Sequence, residues 1–272
     1  MRNLGWKGVP PVPLLRRMRS AGRVACDVRA KDTRVGDVAL ATQSDLRWQL
    51  PDPFDQGELG SCTAQAAAAC IYSAAVRQRL QNIPLPSRLF LYYEARRYYG
   101  EENQDCGSNI CTVFDVAAGL GWPAEELWPY DGAWWKTHPS MSAIRDAHDR
   151  RAKGDPETHY HQLDGTGERL HLQIRQCLSA GFTVPFGTYV SGEFCSADPR
   201  GVVDPTIGYT DGGGHAMLIV GHDDERGCYD VRNSWGPRWG DPAAGAGNFF
   251  MSYKTVLHPG FGDCWTCTLV QS

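Results

Sequence analysis

The distribution of apolar and polar positions changes character halfway along this chain. From Cys62 to Leu80 the sequence CTAQAAAACIYSAAVRQRL is dominated by alanine with no breaker, which predicts a long helix with Ser61 placed to cap it. Asn82–Pro86 interrupts the pattern. Ser87 then stands at the cap of a second helix, SRLFLYYEARRYYG, in which Leu89, Phe90 and Tyr93 share a face. A short third helix is expected over Thr112–Leu120 and a helical turn over Pro123–Leu127. The later segments TVPFGTYV (Thr183–Val190), HAMLIVGHD (His215–Asp223), CYDVRNSW (Cys228–Trp235), NFFMSY (Asn248–Tyr253) and CWTCTLV (Cys264–Val270) are β-branched and aromatic. Clusters such as DDERG separate them, as in strands joined by hairpins. A helical half followed by an antiparallel half predicts an α+β fold of two lobes with a cleft between them.

Composition narrows the class. At 272 residues with 42% hydrophobic and 21% charged positions, the chain fits a soluble globular protein, and it has no apolar stretch long enough to span a membrane. The net charge of −4 conceals an asymmetry: residues 1–34 hold nine Lys/Arg against two Asp, a net of +7, which leaves −11 for the rest. A basic leader joined to an acidic body can fold back on it, or remain an arm that binds nothing. Residues 1–43 are rich in Pro, Arg and Gly. Their apolar run VPPVPLL is broken by prolines, favours the extended polyproline conformation and does not read as a secretory signal. Absence of that signal favours the cytoplasm, although export by another route would leave the same sequence. Pro10–Pro13 also fits a PxxP ligand for another protein.

The stretch DQGELGSCTAQAAAAC concentrates the chemistry. Cys62 falls in the first turn of the predicted helix, where unpaired N–H groups and the helix dipole favour a thiolate. Gly57 and Gly60 admit a close backbone approach, and Gln56 supplies an amide able to stabilise an oxyanion. A buried structural cysteine is the bland alternative. Two later segments favour the reactive reading. GGGHAMLIVGHD places His215 at the start of a strand behind three glycines, as a proton acceptor, and VRNSWGPRWG offers Asn233 to hold the imidazole with Trp235 to exclude water. A hairpin would bring His215 and Asn233 onto neighbouring strands.

Gln-Gly-x-x-Gly-Ser-Cys, Gly-His-Ala and Asn-Ser-Trp-Gly-x-x-Trp-Gly, in that order, resemble the papain-like cysteine peptidases. The separations of 153 residues from Cys62 to His215 and 18 from His215 to Asn233 suit that family. The resemblance covers residues 44–272, with SDLR (Ser44–Arg47) similar to the start of the mature enzyme. QGELGSCTAQA, SRLFLYYEARR and ELWPYD are most like a bacterial branch with short pro-regions. It implies a papain-like two-lobed fold, with the helical lobe mainly over 62–155 and a β-barrel-like lobe mainly over 156–272. It also implies a cysteine endopeptidase with Cys62 as nucleophile, His215 as base and then acid, Asn233 orienting the imidazole, and Gln56 with the Cys62 amide as oxyanion hole. Gly214, Trp235, Gly107 and Ser108 are the implied substrate-binding positions. The reaction needs no cofactor or metal, and the expected partners are protein or peptide substrates of a monomer, with no nucleic acid and no membrane.

The family's zymogens imply that residues 1–43 lie in the cleft and inhibit the body in cis. The sequence departs from the family pattern where Leu59 replaces a cysteine normally disulfide-bonded to the glycine-rich segment, so Cys106 either pairs with Cys111 or stays reduced. Thr63 stands in place of a tryptophan, and PAAGAG (Pro242–Gly247) lengthens the loop after Trp239. Transglutaminase-like acyl transfer uses Asp as the third member, against which Asn233 argues. A non-catalytic peptide-binding scaffold would have lost a triad residue, and none is missing. Cys264 and Cys267 have metal-knuckle or redox spacing, and a disulfide between them is open, but no second Cys-x-x-Cys completes a metal site. His159 and His161 read as strand residues, Tyr92, Tyr93, Tyr98 and Tyr99 as packing, and Gly165–Glu168 as a turn.

Overall fold

The computed structural model describes residues 4–8, 39–151, 159–163, 165–191, 194, 201–206 and 213–268. The alanine-rich run forms α1 (Cys62–Arg77), enclosed on nearly every side because its small side chains let neighbouring backbones approach closely. Ser61 precedes it but caps nothing: its hydroxyl is engaged instead with the Tyr130 hydroxyl at 2.6 Å and the Gln65 amide at 3.1 Å. The second helix, α2 (Arg88–Arg97), starts as the sequence predicts, with the Phe90 N–H donating to Ser87 Oγ at 3.2 Å and Leu89, Phe90 and Tyr93 buried. Next come α3 (Ile110–Gly119) and α4 (Met141–Asp149), the latter capped by Ser140. Pro123–Leu127 is a hydrogen-bonded turn rather than helix, closed by Leu127 and Trp128 N–H groups on the Ala124 carbonyl.

Among the described residues there are eight strands, of which β1 and β4 were not expected from the sequence: β1 (Gln43–Asp45), β2 (Tyr160–Gln162), β3 (Val184–Tyr189), β4 (Val202–Val203), β5 (Gly214–Asp223), β6 (Cys228–Arg232), β7 (Asn248–Ser252) and β8 (Trp265–Cys267). The main sheet runs β1-β5-β6-β7-β4, with β3 also on β5. It is antiparallel except for β4 against β7, while β2 and β8 make a separate pair. The long strand β5 is the partition of the molecule. Successive side chains on a strand face opposite ways. Ala216, Leu218 and Val220 therefore pack into one core with α1, whereas Met217 and Ile219 enter a second core.

Several local expectations are revised. Gly165–Glu168 is not only a turn but leads into α5 (Gly167–Ser179), whose Leu170, Ile174, Cys177 and Leu178 fill the second core. Tyr92 and Tyr93 are buried, but Tyr98 and Tyr99 are surface residues, 53% and 38% exposed, packed edge-to-face on each other. Cys264 and Cys267 form no disulfide with each other and lie in different cores, as opposite-facing positions require. Cys106 and Cys111 are free thiols. His161 bonds Thr268 Oγ1 at 2.7 Å, and burial lowers its pKa to about 4. Val9–Leu15, Pro10–Pro13 and most of the basic leader lie outside the described residues.

Candidate active site

Helix α1 and strand β5 meet at the sulfur. Cys62 is the first residue of α1 and fully buried, and the Ala216 N–H, next to His215, donates to its Sγ at 3.3 Å. Burial pushes the thiol up to about 11, against N–H groups of Ala216, Gly5, Thr63 and Cys62 that pull it down. His215 is buried near the start of β5, with its Nε2 2.8 Å from Asn233 Oδ1. The same Oδ1 accepts the Ser234 N–H at 2.8 Å, which marks it as the carbonyl oxygen and His215 Nε2 as the protonated nitrogen. Asn233 stands one residue beyond β6, so the β5–β6 hairpin makes this contact, as the sequence spacing anticipates. Trp235 stacks on the imidazole with centroids 4.9 Å apart and 25° between planes. Trp239 and Phe194 meet Trp235 edge-on at 5.1 and 5.5 Å, forming an aromatic box behind it.

Gln56 is tied to the same loop. Its N–H donates to the Ser234 carbonyl at 2.9 Å, its Oε1 accepts the Ser234 hydroxyl at 2.6 Å, and its Nε2 donates to the Leu59 carbonyl at 2.8 Å. The Tyr130 hydroxyl reaches the Gln56 carbonyl at 2.9 Å. Bonding of Oε1 to a hydroxyl fixes which end of the amide carries hydrogens, and that end faces the Leu59 turn before Cys62.

The helical wall is held by polar contacts where the resemblance would lead one to look for a disulfide. Asp105 accepts the Gly60 N–H at 3.0 Å and the Tyr92 hydroxyl, while Thr63 Oγ1 and Ser108 Oγ share a hydrogen at 2.5 Å. Thr63 thus joins α1 directly to the 105–109 segment.

Residues 4–8 lie along this cleft. The Trp6 N–H donates to the Gly214 carbonyl at 2.9 Å, the Lys7 N–H to the Ser108 carbonyl at 3.1 Å, and the Ser108 N–H to the Gly5 carbonyl at 2.7 Å, making a parallel bridge. Gly5 passes so close to the cleft floor that an added Cβ would lie 1.6 Å from the Gly60 carbonyl oxygen. A Cβ on Gly107, whose φ is +74°, would lie 1.9 Å from the Gly5 oxygen. Lys7 pairs with Glu101 at the rim. The four substrate-binding positions named from the sequence are therefore all at the cleft: Gly214 and Ser108 through backbone groups, Gly107 through its missing side chain, and Trp235 over the imidazole.

Sequence reading passed over Trp6, Ser234, Asp105, Tyr130 and Asp263. Trp6 carried a signal, being the only aromatic residue among residues 1–43. The others are ordinary polar residues whose importance comes from contacts across distant segments. On the far side of Trp239 a cavity of about 560 Å³ opens between Phe194, Arg238 and Pro242, where the lengthened loop begins.

Comparison with known proteins identifies the family and the fold. The family model described as papain family cysteine protease matches residues 40–251. A peptidase C1-like protein of Acanthamoeba polyphaga mimivirus is 34% identical over 226 residues, covering 80% of this chain and 70% of that protein. The crystal structure of xylellain, a cysteine protease from Xylella fastidiosa, superposes with a TM-score of 0.75 at 27% identity, covering 100% of this chain and 98% of that one. The ragweed pollen cysteine protease Amb a 11, in its proform, shares the fold at a TM-score of 0.64 and 19% identity over 93% of this chain and 72% of that one.

Proposed function

Because the chain belongs to the papain family of cysteine proteases, we propose that it is an endopeptidase centred on Cys62 and His215 and held inactive by its own residues 4–8. The observation that carries this reading is the arrangement of His215, Asn233 and Trp235 beside a sulfur at the head of α1. With Nε2–H committed to Asn233, the imidazole uses Nδ1 to exchange protons with the sulfur. Cys62 attacks the peptide carbonyl carbon after His215 takes its proton, and the oxygen's charge is met by the Gln56 amide and the Cys62 N–H. His215 returns the proton to the departing amine as the C–N bond breaks. It then draws a proton from water, which attacks the acyl-enzyme to release the acid and the thiol. Trp235 keeps water off the His215–Asn233 bond throughout.

The strap accounts for the closed state. It covers the sulfur, directs the Gly5 N–H at it, and contributes to the burial that keeps the thiol neutral. The test uses the full chain. The Trp6 indole N–H donates to the Oδ2 of buried Asp263 at 3.2 Å, so replacing Trp6 by Asp sets a carboxylate against a carboxylate and should release the strap, raising cleavage of a fluorogenic peptide amide by about tenfold or more; Gly5→Val, which collides with Gly60, should do the same. An epoxysuccinyl peptide should label Cys62 in both variants, and Cys62→Ala should abolish cleavage. Equal activity of wild type and both variants at every salt concentration would end the inhibitory role of the strap. Cleavage that survives in Cys62→Ala would end the proposed chemistry.

A further inference from the structure

The peptide group between Leu59 and Gly60 is gripped at both of its polar atoms. Its carbonyl oxygen accepts the Gln56 Nε2–H at 2.8 Å, and its N–H donates to Asp105 Oδ1 at 3.0 Å. Gln56 is buried, and its Oε1 is engaged by the Ser234 hydroxyl at 2.6 Å. A primary amide carries two hydrogens on one planar nitrogen, so fixing the first on the Leu59 carbonyl fixes the direction of the second. That second hydrogen is the one that would meet the oxygen of an attacked carbonyl. Asp105 is itself anchored. The Tyr92 hydroxyl donates to the same Oδ1 and accepts the Gly107 N–H at 3.3 Å. Arg96 is fully buried, with its guanidinium 4.0 Å from the centre of the Tyr92 ring and within electrostatic reach of Asp105. Its Nη1 donates to the Glu102 and Gln104 carbonyls at 2.8 and 2.9 Å, which sets the loop that ends in Asp105.

Hydrogen bonds in series polarise one another. A carboxylate on the Gly60 N–H pushes electron density toward the Leu59 oxygen and makes that oxygen a stronger acceptor for Gln56. Two effects on an oxyanion then compete. The bare charge of Asp105 disfavours a second negative charge nearby, but the buried Arg96 cation offsets it. What remains is the directional effect, an amide whose donor is aimed before the reaction begins. We propose that Asp105 is a positioning residue for this reaction: acting through the Leu59–Gly60 peptide, it holds the Gln56 amide on the oxyanion. This rests on the peptidase reading above. Leu59, whose carbonyl Gln56 grips, is the position where the family pattern has a bridged cysteine, so in this chain a charged hydrogen bond steadies the turn that a covalent link would otherwise hold.

The experiment uses the full chain with the strap loosened by Trp6→Asp. Asp105→Leu removes the acceptor, Asp105→Asn keeps an acceptor oxygen without the charge, and each is made alone and together with Gln56→Ala. A peptide coumarin amide gives kcat and KM. A peptide aldehyde gives a dissociation constant: its carbon takes the Cys62 sulfur, and its oxygen takes the thiol proton and sits where the oxyanion forms. Iodoacetamide gives an alkylation rate, in which sulfur displaces iodide and no oxyanion appears. Asp105→Leu should lower kcat by about thirtyfold with KM little changed, less than is lost with a whole oxyanion donor. It should weaken the aldehyde by a like factor and change alkylation less than about twofold. Asp105→Asn should lose about threefold, since an uncharged acceptor makes the weaker bond. Alongside Gln56→Ala, neither substitution should lower kcat or aldehyde affinity further, because the two residues act in series. Equal losses in all three readouts, or losses that add in full to that of Gln56→Ala, overturn Asp105 as a positioning residue. Should Asp105→Leu fail to fold, Asp105→Asn carries the cycle alone. Aldehyde binding that depends on Asp105, in a chain that cleaves no peptide, upholds the assignment and overturns the peptidase reading.

Discussion

The two walls of the cleft are built from different materials. On the helical side, Cys62 is placed by a web of hydrogen bonds: Asp105 on Gly60 and Tyr92, Thr63 on Ser108, Ser61 on Tyr130. On the sheet side, His215 is placed by its hydrogen bond to Asn233 and a block of rings, Trp235 against Trp239 and Phe194. The nucleophile's wall depends on direction and charge, the base's wall on area and shape. A web of directional bonds stands in for a covalent staple, while stacked rings give the imidazole a dry, flat bearing surface.

The largest expected effect concerns the sulfur. In the closed chain burial raises the thiol to about 11, so the neutral form prevails below that pH and alkylation should climb with pH up to it. Releasing the strap with Trp6→Asp should move the midpoint down and speed labelling at pH 7 by about a hundredfold, since each pKa unit is a tenfold change in thiolate; iodoacetamide kinetics across pH measure this, and an unmoved midpoint would count against the strap as the cause. On the other wall, Trp235→Ala in the released chain should lower kcat roughly tenfold with KM little changed, the scale of a partner that positions a functional imidazole. Smallest is Thr63→Val, which removes the bond to Ser108 and should cost about 1 kcal/mol of stability, read as a lower unfolding midpoint. If that change instead abolished folding, the web would be more cooperative than its separate bonds imply.

Much of this was legible in the chain. Cys62, His215 and Asn233 announce themselves because each sits at the end of an element whose limits local pattern reveals: an alanine-rich helix for the first, a hairpin for the other two. The strap was legible as a basic leader suited to a cleft, but not its grip. That depends on Gly187 from β3, Asp263 before β8 and Ser108 before α3 meeting at one tryptophan, and no local pattern links them. Helix α5 was overlooked for a different reason: Gly165 and Gly167 at its start drew attention as a turn, although Leu170, Ile174 and Cys177 keep helical spacing. Ser61 misled in the opposite sense, since a residue ideal for capping was recruited by Tyr130.

The sense in which residues 4–8 run has a further consequence. A polypeptide threaded this way offers its guest nitrogen, not an electrophilic carbon, to the nucleophile, and so it can rest in the trough without being digested by its host. On the inhibitory reading proposed above, release falls to a second molecule cutting elsewhere in the leader, and activation of the full chain should quicken with protein concentration.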